Sequence, residues 1–99
     1  MTKILVTGFY DPAGFKTFLK AFTSPDKPKY PDYIKKVLNL MTGTGDSKVY
    51  ALYEVPDDKI YESLRSLNKR YFFYAANMQG YEFTIEIVGP VEDALDTLK

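Results

Sequence analysis

Apolar and polar positions alternate with different periods along this chain, and the changes of period mark its elements. KILVTGFY, Lys3 to Tyr10, is β-branched and apolar with a glycine near its end, the composition of a central strand. Asp11-Pro12 then offers a capping carboxylate followed by proline at the first helical position. Phe15, Phe18, Leu19 and Phe22 recur at i, i+3, i+4 and i+7, which predicts an amphipathic helix from Pro12 to about Phe22. Prolines at 25, 28 and 31 block further helix and favour an extended connection inside the domain.

YIKKVLNLMT, Tyr33 to Thr42, and KVYALYEV, Lys48 to Val55, read as two strands. GTGDS, Gly43 to Ser47, supplies the glycine and aspartate of a short turn, so the two should pair as an antiparallel hairpin. Its glycines lack the spacing, lysine and following helix of a phosphate-cradling loop, so a turn is the preferred reading. Pro56-Asp57-Asp58 opens the next helix with acids at its positive end. Ile60, Leu64, Leu67, Tyr71, Tyr74 and Met78 step by 4, 3, 4, 3 and 4, one apolar stripe on a helix ending near Gly80; a break near Asn68 is the competing expectation. YEFTIEIV, Tyr81 to Val88, alternates strictly, with Tyr81, Phe83, Ile85 and Ile87 on one face and Glu82, Thr84 and Glu86 on the other. Gly89-Pro90 ends it, and VEDALDTLK can form a short terminal helix.

The helical stripe bears on the densest aromatic region, NKRYFFYAANMQGYEF, Asn68 to Phe83. Spacing assigns Tyr71 and Tyr74 to the core, sets Phe72 beside the stripe, and turns Phe73 toward the side of Glu62, Arg65 and Lys69. An outward phenylalanine needs a cover, and a second subunit is the simplest one.

The order is βαββαβ, an α+β chain of the ferredoxin-like type: a four-stranded antiparallel sheet with two helices on one face, in a single domain spanning 1–99. Two helices cover one sheet face only. On the two strands expected at the centre, the face opposite Ile4, Val6, Val49, Ala51 and Tyr53 carries Leu5, Thr7, Phe9, Tyr50, Leu52 and Glu54. That surface is too apolar to rest in water and too polar for a dry monomeric core.

Composition narrows the chemistry. A chain of 99 residues has a modest core, which makes self-association plausible. Thirteen Lys and Arg balance thirteen Asp and Glu, so no net field gathers phosphates or an anionic membrane. Cysteine and histidine are both absent. Disulfides, thiolate zinc and iron–sulfur sites, and the serine–histidine and cysteine–histidine relays go with them, leaving carboxylates, tyrosine, lysine and oxygen-ligand metals. No leader-like or membrane-spanning run is evident, which reads as a soluble cytoplasmic protein.

In element order and in its half-apolar sheet face, the chain resembles the ferredoxin-like domains of the dimeric α/β-barrel superfamily, whose sheets pair face to face around a central cleft. The resemblance covers nearly the whole chain and rests on no short motif. It implies a homodimer and, across a superfamily of mixed function, activities such as cofactor-free oxygenation or isomerisation. The histidine used by haem-binding and several catalytic members has no counterpart here.

The expected site is therefore a cleft for a small aromatic or amphipathic molecule. Leu5, Phe9, Tyr50 and Leu52 form its apolar wall, and Thr7, Glu54 and Glu86 its polar groups. If the protein is an enzyme, Glu54 transfers the proton and Tyr50 donates a hydrogen bond, without a cofactor. Glu82 and Glu86, with Glu54, could gather as a carboxylate group, but their alternation is that of a half-exposed strand and no metal site is assigned to them. RNA-recognition domains share the element order. Lys48, Tyr50 and Ala51 match their strand signature, whereas Val49, Leu52, Val55 and Leu5 do not, and one stacking ring of three survives, which argues against nucleic acid. The other class of function is a non-enzymatic assembly or adaptor protein, with the face filled by dimer packing and Phe72 and Phe73 meeting a further protein.

Overall fold

The computed structural model describes residues 1–42, 47–90 and 92. The turn expected at 43–47 falls outside these residues except for Ser47, and so does the terminal helix expected after Pro90 except for Glu92. The elements are β1 (Thr2–Phe9), α1 (Phe15–Phe22), β2 (Lys35–Met41), β3 (Lys48–Val55), α2 (Ile60–Asn77) and β4 (Glu82–Val88), with a single 3-10 turn leading into each helix. The strands form one antiparallel sheet in the order β2-β3-β1-β4, so β1 and β3 are central. This is an α+β arrangement compatible with the ferredoxin-like fold.

Local chemistry sets the helix starts. The Asp11 carboxylate accepts from the Ala13 backbone N–H at 3.0 Å, and Pro12 occupies the position where a missing N–H costs nothing. α2 runs unbroken through Asn68 to Asn77; Met78 is extended and Gly80 takes φ +82°, the left-handed conformation that lets the chain turn back into β4.

The core lies between the helices and one sheet face. Ile4, Val6, Ala51 and Tyr53 meet Phe18 and Ala21 from α1 and Leu67, Tyr71 and Tyr74 from α2, all buried. The α2 stripe is as expected, with Leu67, Tyr71 and Tyr74 buried and Ile60 and Leu64 half-buried against the core. On α1 only Phe18 of the four expected apolar positions is fully buried, because the short helix turns Phe18 and Ala21 to the sheet and leaves Phe15 and Leu19 on its flank. Phe73 differs from expectation: it is half-buried, with its ring 6.1 Å from Tyr74. Of the two phenylalanines the outward one is Phe72, 62% exposed and set edge-on against Phe83 at 5.2 Å.

Candidate functional site

The cross-strand register places side chains in rows across the face that α1 and α2 leave open among the described residues. Leu38, Leu52, Leu5 and Glu86 share one row, and Leu40, Tyr50, Thr7 and Thr84 the next. Lys35, Glu54, Lys3 and Val88 lie at one end, and Lys48, Phe9 and Glu82 at the other. Leu5, Phe9, Tyr50, Leu52 and Glu54 are half-buried, Thr7 is buried between Tyr50 and Thr84, and Glu86 is exposed. The Lys48 ammonium sits 5.5 Å from the centre of the Phe9 ring, a cation over an aromatic face.

Leu38 and Leu40 are the residues of this face that the sequence reading lacks. They are 50% and 56% exposed. What puts them there is an extra residue on β2: Lys36 pairs with Tyr53 and Leu38 with Leu52, so Val37 bulges out of the ladder. Without that bulge the pleat would send both leucines to the helix side. The signal was their i, i+2 spacing; the bulge that assigns the face leaves no mark in KKVLNLM.

The register also separates the candidate catalytic pair. Tyr50 and Glu54 are four residues apart on one strand, about 13 Å at strand rise, with Leu52 between them. Their backbones are thus set well apart along one strand. Glu54 instead faces Lys3 and Lys35 across the ladder, opposite charges in paired positions. Glu86 stands a row away and two strands over, and Glu82 at the far end. Among the described residues no three His, Cys, Asp or Glu side chains gather in a way that could hold a metal ion.

The helix side carries a feature that periodicity did not disclose. A cavity of about 160 Å³ lies between α1 and the β2–β3 pair, walled by Phe18, Leu19, Phe22, Met41, Val49 and Tyr74. Its size is near the about 150 Å³ of an engineered apolar cavity that holds one benzene ring. Tyr81 also borders it; its hydroxyl is buried and has no hydrogen-bond partner among the described residues, and burial raises its pKa.

No protein-family model, curated protein or solved structure matches this chain. Its class therefore rests on the geometry above: among the described residues, a small α+β domain with a four-stranded antiparallel sheet, two helices on one face and a half-apolar open face on the other. No helix among the described residues is long and apolar enough to cross a membrane.

Proposed function

We propose that the chain works as a cytoplasmic homodimer of the dimeric α/β-barrel type, whose open sheet faces close on each other around a small aromatic or amphipathic molecule. The observation that carries this reading is the apolar band Leu38-Leu52-Leu5 and Leu40-Tyr50, which crosses three strands and is ringed by Lys3, Lys35, Lys48, Glu54, Glu82 and Glu86. An apolar centre inside a charged rim is the anatomy of an association surface. Leu5, Phe9, Tyr50 and Leu52 wall the ligand; Thr7, Glu54 and Glu86 orient its polar end. The separation of Tyr50 from Glu54 favours binding over a reaction that needs both groups at one bond.

The test is mass in solution combined with a thermal-shift screen of small aromatic compounds, on the native chain and on Leu40→Lys and Glu54→Gln. Leu40 lies on an edge strand, so its substitution should leave the fold intact, as read by circular dichroism, while splitting the dimer. Glu54→Gln should stay dimeric and weaken the ligand. A native chain that sediments as a monomer at every concentration overturns the reading.

Phe72 favours a second reading. A largely exposed phenylalanine on α2, beside the half-buried Phe83, suits an adaptor that grips a further protein while the open face is filled by dimer packing. A dimer with a dry, filled interface and no ligand response would select it.

A further inference from the structure

Three cations converge on the helix side of the sheet, and among the described residues no acid pairs with any of them. Arg70 comes from α2, Lys27 from the proline-rich connection and Lys36 from β2. Arg70 is 8% exposed, a depth at which arginine is ordinarily paired with a carboxylate. Here its Nε donates to the Tyr74 hydroxyl at 3.2 Å and its Nη1 to the Pro28 carbonyl at 3.3 Å, and the guanidinium lies 4.5 Å from the centre of the Tyr30 ring. Both hydrogen-bond acceptors are neutral. Two of its five N–H donors are accounted for, and Nη2 has no partner among the described residues although it is not sealed from solvent.

The two lysines are held close by. The Lys27 ammonium donates to the Phe22 carbonyl at 2.7 Å and lies 5.1 Å from the centre of the Phe22 ring. Lys36 reaches the same ring at 5.5 Å and the Tyr53 ring at 5.7 Å. Burial and the Arg70 charge push the pKa of both lysines below its ordinary value, and Lys27 further lowers that of Lys36. Tyr53, whose pKa burial raises, stays protonated and supplies no countercharge. Among the described residues no carboxylate comes within 4.0 Å of any of the three cations.

We propose that Lys27, Lys36 and Arg70 form an anion-binding site that takes the carboxylate or phosphate group of a small aromatic molecule. The planar guanidinium fork suits either oxyanion, and two ammonium groups beside it add charge without fixing geometry. The aromatic character of the ligand follows from the walls: Tyr30, Phe22 and Tyr53 present ring faces around the cations. Phe22 and Tyr74 are also walls of the 160 Å³ cavity, which has room for one ring. An incoming anion would offset a local charge that no carboxylate among the described residues balances, so binding should stabilise the fold. This site lies on the opposite side of the sheet from the open face and stands whether or not the chain dimerises.

The experiment titrates the full chain with inorganic phosphate, phenyl phosphate and benzoate, against sodium chloride at matched ionic strength. Melting temperature and backbone amide NMR shifts are the readouts. Saturable binding of at least one probe is expected, with shifts at Phe22, Tyr30 and Lys36. The double variant K27Q/K36Q should keep the native amide pattern elsewhere and bind about tenfold or more weakly. Phenyl phosphate binding without benzoate binding assigns a phosphate monoester, the reverse assigns a carboxylate, and either supports the site. Arg70→Lys, which keeps charge and loses the fork, should bind phenyl phosphate more weakly than the native chain does at the same ionic strength. Failure of all three probes to saturate, or equal affinity in the native chain and K27Q/K36Q, overturns the proposal.

Discussion

The hydroxyls of Tyr53 and Tyr71 meet at 2.8 Å in the core, tying the centre of the sheet to the middle of α2. Tyr53 is fully buried and Tyr71 nearly so, which makes each the other's means of satisfying a polar group away from water. Tyr53→Phe or Tyr71→Phe alone strands one hydroxyl and should cost about 1–3 kcal/mol in denaturant unfolding. The double variant removes both and should cost less than the sum of the singles. Strict additivity would show that the two hydroxyls do not depend on each other.

Alkali should unfold this protein through its buried tyrosines. Burial is the main cause that pushes the Tyr71 pKa from 10.0 up to about 12, with the Tyr53 hydrogen bond acting the other way, and burial raises Tyr53 and Tyr81 as well. Between pH 10.0 and about 12 the unfolded chain releases protons that the folded chain keeps. Stability is therefore full below pH 10.0 and falls as pH rises through that window. A late, cooperative rise in tyrosinate absorbance should coincide with loss of the far-ultraviolet circular dichroism signal. Ionisation of every tyrosine with the fold intact would contradict this.

Gly8 makes room for Tyr81. A Cβ at Gly8 would fall onto the Tyr81 hydroxyl and 2.9 Å from the Val49 Cγ2, so any larger residue there forces Tyr81 or Val49 to shift. Gly8→Ala should destabilise by about 1–3 kcal/mol as overpacking. Tyr81→Phe removes a hydroxyl that has no partner among the described residues and should be within about 1 kcal/mol of neutral. In the Tyr81→Phe background, Gly8→Ala should cost less, read as a coupling in a double-mutant cycle.

Much of the open face was legible along the chain. Successive side chains on a strand point to opposite sides, so Leu5, Thr7 and Phe9 on β1, and Tyr50, Leu52 and Glu54 on β3, follow from Ile4, Val6, Ala51 and Tyr53 being core. α2 was legible in the same way, through the 3.6-residue period that carries Leu67, Tyr71 and Tyr74. Phe72 and Phe73 were harder, because they sit at the border of the stripe where a small rotation of the helix decides which ring is covered. Arg70 gave a faint signal: it lies next to Tyr71 and one turn before Tyr74, an arginine bordering the apolar stripe.

The chain by itself determined the order of elements and the inner and outer faces of the central strands, since period and turn chemistry are local properties of the backbone. Tertiary structure alone decided the rest. The bulge at Val37 turned Leu38 and Leu40 outward, strand register set Glu54 between two lysines and about 13 Å from Tyr50 at ordinary strand rise, and packing drew Lys27, Lys36 and Arg70 together. The physical reason is that these outcomes depend on how separate segments align in space, and neither alignment nor the charge it concentrates can be read from the neighbours of any one residue.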